Sequence, residues 1–339
     1  MLNQHPRRVT RADVAREAGT SVAVVSYVIN NGPRPVAEAT RQRVLDAIKK
    51  TGYRPNGIAR ALASGTTRTY GLIIPNIANP FLSSMAHSLQ QEAFEHGQVL
   101  LLGDAGDNRQ RELELINNLL HRQVDGLLYT SVDRHPYIEL IQASGTPFVM
   151  LDRVDPALNV SAIRVDERAA AFQATRHLTE HGYRDIAIIC GPREMLNTQD
   201  RISGWREALQ TARLPVKEEW IFSTTYTREG GYQAACRMLE GTLPRALFAT
   251  NELQALGCLR ALSERGIKVP EEVALVCFNG TVESEFNVPS LTHVRQPVKA
   301  MAKAAIEMLK NWNGTPELRE FSFDLLIGES CGCCPTLIK

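Results

Sequence analysis

The stretch "TSVAVVSYVIN", Thr20–Asn30, is rich in β-branched residues, which favour pleated strands. The apolar/polar alternation of a half-buried strand is nevertheless missing, and its surroundings argue for a helix. Upstream, Thr10-Arg11-Ala12-Asp13 has capping-box spacing, with Thr10 as N-cap and Asp13 reaching back from the first turn. Val14, Ala15 and Ala18 follow on one helical face, and Gly19 offers the left-handed position that ends a helix. Ser21 is placed to cap a second helix. In that helix Val25, Val28 and Ile29 share one side, and Val22, Ala23 and Tyr27 fall largely on another. A third helix is expected in "EATRQRVLDAIKKTGY", with Val44, Leu45 and Ile48 inward and Gly52 as its stop.

Helix, short glycine turn, helix is the helix-turn-helix arrangement, whose second helix enters the major groove of DNA. Its exposed small and β-branched side chains leave room for close approach to base edges. Charge agrees. Residues 1–68 hold twelve of the 38 Lys and Arg residues but only four of the 37 Asp and Glu, so a head of +8 precedes a body of −7. Such a head is suited to a polyanion.

From Tyr70 the chain alternates apolar strands and amphipathic helices. "YGLIIP", "QVLLLGD", "VDGLLYT" and "TPFVMLD" read as buried strands, and after Asp166 the series resumes with "RDIAIICG", "EWIFSTT", "RALFATN" and "VALVCFNG". Repeated alternation predicts doubly wound parallel sheets, here in two copies, with ligands beyond the carboxyl ends of the strands. With 44% apolar and 22% charged residues the composition is that of a globular protein. No run approaches the ~18 apolar residues of a membrane span. The N-terminus lacks an apolar signal core, and the seven cysteines are an odd number. Both point to a cytoplasmic protein with reduced thiols.

"VTRADVAREAGTSVAVVSYVIN" and "TRQRVLDAIKKTGYRPNGIARAL" resemble the N-terminal module of the lactose/galactose repressor (LacI/GalR) family. The resemblance continues through "GLIIPNIANPF", "VDGLL", "ATNELQALGCLRAL", "VPEEVALVCF" and "LTHVRQP", and so covers nearly the whole chain. It implies an all-α helix-turn-helix head on an α/β, two-lobed, periplasmic-binding-protein-like body. The expected domains are a DNA-binding head at 8–54, a hinge helix and linker at 55–69, and an effector-binding and dimerisation body at 70–332. Lobe 1 would take about 70–160 and 297–324, lobe 2 about 161–293 and 325–332. The chain would cross between lobes near Asp152–Asp166, Thr292–Pro297 and Phe323–Gly328.

Residue by residue, the resemblance makes Ser21 and Asn30 phosphate-backbone contacts and Val22, Ala23 and Tyr27 base readers, with Thr10 and Ser26 completing the DNA-facing set. Position 27 is often Arg or His in such proteins. Tyr cannot make arginine's bidentate contact to guanine, so base preference there should differ. Ala37 stands where a Ser N-cap is frequent. In the hinge, Pro55 would open a short helix, Asn56–Leu62. Leu62 would be the minor-groove wedge, with Asn56, Ala59 and Arg60 beside it. The effector cleft would be lined by Phe81, Thr130, Asp152, Arg201, Tyr226, Asn251, Asn279 and Gln296. Arg201 would donate a forked pair of hydrogen bonds, Asp152 and Asn251 would take or share hydroxyl protons, and Phe81 and Tyr226 would stack on a sugar face. Asn279 stands in "CFNG" where many relatives have Asp, and brings donors where a carboxylate has only acceptors. A phosphorylated or acidic sugar would suit it, and a neutral sugar is compatible.

His177 and His181 are four apart on a helix, a spacing suited to two metal ligands, but no third ligand is near in sequence. The "CGCC" tail at 331–334 lacks a second Cys pair, so free thiols and no metal are expected. No cofactor is called for. The phosphate-binding glycine motifs and the G-x-S-x-G elbow are absent, which weighs against a dehydrogenase, an NTPase or a hydrolase. The expected function is therefore a DNA-binding transcriptional regulator and not an enzyme. It would be a repressor, working as a homodimer on a pseudo-palindromic operator under control of a small sugar-like effector. A solute-binding protein, or an enzyme on the same scaffold, is the alternative.

Overall fold

A computed structural model describes residues 9–30, 34–56, 61–62, 64–151, 155 and 158–333, and the chain divides into two compact units, 1–67 and 68–339.

In the first unit, α1 (Arg11–Glu17) starts on a complete capping box. The Asp13 N–H donates to Thr10 Oγ1, and the Thr10 N–H donates to Asp13 Oδ2 at 2.9 Å. It ends at Gly19, φ +58°, with the Gly19 N–H on Arg16 O and the Thr20 N–H on Ala15 O. This paired pattern satisfies the last carbonyls. Ser21 Oγ then accepts from Val24 N at 3.3 Å and opens α2 (Val22–Asn30). So the β-branched stretch is helical: local caps and tertiary burial outweigh propensity. Val25 and Val28 pack with Val14, Ala15, Ala18, Val44, Ala47 and Tyr53 in one small core. The third helix, α3 (Glu38–Thr51), has no side-chain cap at Ala37 and stops at left-handed Gly52. Leu45 is exposed, contrary to expectation. Ala47 takes the inward place, because Val44, Ala47 and Ile48 hold the i, i+3, i+4 stripe. Beyond it, Asn56 is not helical, whereas residues 61, 62 and 64 are, and the Gly65 N–H donates to Ala61 O. Among the described residues, helical positions thus occur past Leu62, further along the chain than expected. Ala59 and Arg60 lie outside the described residues.

The second unit holds two six-stranded sheets. Lobe 1 uses β1 (Thr69–Ile74), β2 (Val99–Asp104), β3 (Gly126–Tyr129), β4 (Phe148–Met150), β5 (Ala162–Val165) and β11 (Leu318–Phe321), in the order β11-β5-β4-β3-β1-β2. Lobe 2 uses β6 (Ile186–Cys190), β7 (Ile221–Ser223), β8 (Ala246–Ala249), β9 (Ala274–Phe278), β10 (Thr292–Arg295) and β12 (Asp324–Leu326), in the order β12-β10-β9-β8-β6-β7. Among the described residues every pairing is parallel except β10 with β12. The helices of lobe 1 are α4 (Pro80–Glu95), α5 (Arg109–His121), α6 (Ile138–Ser144) and α12 (Val298–Lys310). Those of lobe 2 are α7 (Glu167–Glu180), α8 (Leu196–Thr211), α9 (Arg228–Met238), α10 (Glu252–Glu264) and α11 (Val282–Phe286). Each sheet is covered on both faces, giving two apolar clusters per lobe.

Three expectations change. The run "QVLLLGD" is not a buried strand: β2 lies at a sheet edge, with Val99 and Leu102 exposed. Residues 162–165 belong to lobe 1, since β5 pairs with β4 and β11, so the first crossing falls at Asp166. Asp324 already pairs in lobe 2, so the last crossing falls at 322–323.

Candidate functional site

In the head, the core takes Val25 and Val28 from α2 and leaves the opposite face open. Val22, Ala23 and Asn30 are exposed, and Ser26 and Tyr27 are half-buried, with Asn30 Nδ2 donating to Ser26 Oγ at 3.3 Å. Ser21 and Thr10 are both occupied as N-caps. Arg11 Nε donates to Tyr53 Oη at 3.3 Å, tying α1 to the segment after α3. In the hinge, Leu62 is 88% exposed.

In the body, a cleft of about 580 Å³ lies between the lobes, within the size range of small-molecule sites. Its lining follows directly from topology. Thr130 comes just after β3, Tyr226 after β7, Asn251 after β8, Asn279 after β9 and Gln296 after β10, with Phe81 at the start of α4. Parallel strands point their carboxyl ends to one edge of each sheet, and there the two sheets face one another. Seven of the eight expected residues line this cavity; Asp152 lies outside the described residues.

Several of them also hydrogen-bond within the protein. Arg201 is buried, with Nε on Glu167 Oε2 at 2.6 Å and Nη1 on Thr250 O at 2.7 Å. Its guanidinium lies over the Phe278 ring, 4.1 Å from the centroid. Nε and one Nη1 N–H are therefore held by the protein, while the residue still lines the cleft. Asn251 is committed as well: Oδ1 caps α10 through Gln254 N, and Nδ2 donates to Tyr226 O. Tyr226 Oη sits 2.6 Å from Thr198 Oγ1 and donates to Asn197 Oδ1 at 3.2 Å. Gly191 makes room for that ring, since a Cβ there would lie 2.1 Å from Tyr226 Cζ. Asn279 adopts φ +56°, a left-handed conformation that Asn tolerates, and its Oδ1 accepts from Gln296 Nε2 at 2.6 Å. With the oxygen engaged, Asn279 has its amide N–H donors left to offer the cleft.

Several lining residues were missed. Glu167, the partner of Arg201, immediately follows the N-cap Asp166 of α7, and its signal was the acidic first turn of "VDERAAA". Asn76 and Asp107 face the cavity as a pair, Asn76 Nδ2 donating to Asp107 Oδ2 at 2.7 Å, while Asn79 caps α4 through Phe81 N. No local pattern marks Asn197 or Arg164.

Cys331 and Cys333 are free thiols, and the fold brings them from far along the chain to His177 and His181, with the four candidate ligand atoms within 4.8 Å of one another. Burial on its own would push the Cys331 thiol up, but hydrogen bonds with His177, Thr292 and Cys333 outweigh it and leave it at about 7. Cys190, in the core of the same lobe, is instead pushed up to about 11 by burial.

Residues 10–56 match the family described as bacterial regulatory proteins, lacI family, and residues 67–310 match periplasmic binding proteins and sugar binding domain of LacI family. The chain belongs to the LacI family of bacterial transcriptional regulators. It is 34% identical to catabolite control protein A of Priestia megaterium over 90% of this chain and 92% of that protein. Among solved structures, a transcriptional regulator CelR–cellobiose complex is 30% identical, with a TM-score of 0.72, covering 95% of this chain and 100% of that one. The lac repressor dimer bound to operator and the anti-inducer ONPF shares the fold, at 24% identity and a TM-score of 0.85, over 96% of this chain and 99% of that one. The protein is thus a DNA-binding transcriptional regulator with a ligand-binding body, and its relatives are regulators rather than enzymes. Among the described residues no helix is long and apolar enough to cross a membrane.

Proposed function

We propose that this regulator represses transcription in the cytoplasm as a homodimer on a pseudo-palindromic operator, its DNA affinity set by a sugar or related metabolite held between the lobes. The observation that carries the reading is the polar wall of the 580 Å³ cleft, where Tyr226, Asn279 and Gln296 are fixed by hydrogen bonds beside the apolar Phe81. That pairing of directional hydrogen-bonding groups with a ring-stacking surface suits a polyhydroxylated ligand. The cellobiose in the 30%-identical relative supports the same class.

One three-helix head has a small base-reading surface, whereas a two-fold dimer reads two half-sites. Exposed Phe94, Val99 and Leu102 in lobe 1 and Phe286 and Val288 in lobe 2 offer apolar surface for a second copy to cover. On the operator, Ser21 and Asn30 position the head, Val22, Ala23 and Tyr27 read bases, and Leu62 wedges into the minor groove. Gln296 lies at a lobe crossing and touches the cleft, so ligand binding there biases the angle between lobes.

Selection of bound duplexes from a random library by the full-length protein, at stated salt, tests this reading. A two-fold symmetric motif is expected, and the absence of one with and without a sugar panel contradicts it. Leu62→Ala should weaken binding to the selected operator at least about tenfold while sparing ligand affinity. Tyr27→Ala should relax preference at one position of each half-site by about 1–3 kcal/mol. A uniform loss over all sequences would instead make Tyr27 a backbone contact.

A further inference from the structure

At the far end of α7 from the cleft, two parts of the chain separated by some 150 residues meet. His177 and His181, four apart, share a helix face, and their rings sit edge to face with centroids 4.7 Å apart. Opposite them the chain returns from β12. The Ser330 hydroxyl donates to Leu275 O, Cys331 O accepts from Tyr183 Oη at 3.3 Å, and Cys331 is fully buried in the lobe 2 core. Gly332, at φ +91°, then reverses the backbone, and this brings Cys333 to the same histidines as Cys331. Cys333 Sγ lies 2.9 Å from His181 Nε2 and 3.8 Å from His177 Nε2, and the four candidate ligand atoms lie within 4.8 Å of one another.

We propose that His177, His181, Cys331 and Cys333 form a structural zinc site that fastens the C-terminal segment to α7. Two imidazoles and two thiolates are a donor set selective for a tetrahedral, borderline-soft divalent ion, and two thiolates balance its charge. An ion about 2.0–2.1 Å from each nitrogen and about 2.3 Å from each sulfur spaces its ligands about 3.4–3.8 Å apart. The cluster reaches that spacing by side-chain adjustments of about 1 Å or less, with the backbone on both sides already pinned. A set of four protein ligands leaves no open position, so the site is structural. It lies about 15 Å along α7 from the cleft residue Glu167, taking a rise of about 1.5 Å per residue.

Metal analysis of the full-length protein, expressed with zinc and purified under reducing conditions without chelator, tests the proposal. About one zinc per chain is expected, falling below a tenth in Cys333→Ser and in His181→Gln. These two side chains are partly exposed or exposed, and circular dichroism checks that the variants stay folded. Replacing zinc by cobalt(II) should give thiolate-to-metal charge-transfer bands that both variants lose. A strong chelator should lower the Tm of the parent but not of Cys333→Ser. Three results would each overturn the site: no retained zinc and no cobalt bands in fully reduced protein, zinc unchanged in both variants, or a Cys331–Cys333 disulfide found by mass in protein freshly purified under the reducing conditions.

Discussion

The two walls of the cleft are built on different physics. On the lobe 2 side, polar groups hold each other: Arg201 with Glu167, Tyr226 with Thr198 and Asn197, and Asn279 with Gln296. On the lobe 1 side Phe81, Leu82, Leu151 and Met301 present apolar surface, and the polar contribution comes from Asn76, Asn79 and Asp107 in loops and caps together with Thr130, Ser131 and Arg164. A wall of mutually bonded polar groups is preorganised and intolerant of change, because each member removed strands another in a low-dielectric setting. An apolar wall contributes area and exclusion of water, and tolerates a shift of position. On this account ligand recognition falls mainly to lobe 2, and contact area and exclusion of water mainly to lobe 1.

The sharpest contrast is in stability. Arg201→Ala leaves the Glu167 carboxylate buried without its partner, a loss of about 3–5 kcal/mol. Denaturant unfolding should show it as a large fall in midpoint, whereas Phe81→Ala, at a partly buried site, should cost about 1–2 kcal/mol, below the range for full burial. Equal losses would break the comparison. Asn279→Asp comes next. The new carboxylate still accepts from Gln296 but removes the amide donors, so calorimetry should show affinity for an acidic sugar falling at least about tenfold, by about 1.4 kcal/mol or more. A neutral hydroxylated ligand should suffer less. Smallest is Tyr226→Phe, which deletes one hydroxyl with two partners and should weaken ligand binding by about 1 kcal/mol without moving the unfolding midpoint by more than a similar amount. If Phe81→Ala changed ligand selectivity more than Asn279→Asp did, the division of labour would be reversed.

The head was legible because its decisive signals are local. Thr10 with Asp13, Gly19 and Ser21 each act within four residues, so spacing alone locates both helices. Leu45 misled because hydrophobicity outranked position; the small Ala47 fits the crowded core, and Leu45 sits one step round the helix. In the body the strand–helix alternation was plain, but β5, β10, β11 and β12 are only three or four residues long and lie beside lobe crossings. The edge position of β2 was hidden, since "VLLL" looks the same whether one face or two are covered. Strand-end positions could be inferred from topology, so the lining of the cleft was largely legible. What the lining residues bond to was not, because the Arg201–Glu167 and Asn279–Gln296 pairs join separate elements. The Cys331–Cys333 approach to His177 and His181 is the extreme case, set only by the return of the chain along β12.

The central claim is that a ligand in the cleft changes the grip on DNA, and linkage makes that change reciprocal. The most direct measurement is anisotropy titration of the selected operator at fixed salt, with and without a saturating sugar shown by calorimetry to bind. The account predicts a shift of at least about fivefold in operator Kd, equivalent to about 1 kcal/mol of coupling, and a matching shift in sugar affinity when operator is present. The shift should vanish in a cleft variant that no longer binds the sugar, with its ligand-free operator affinity intact. An operator Kd that is identical with the cleft filled and empty would contradict the account.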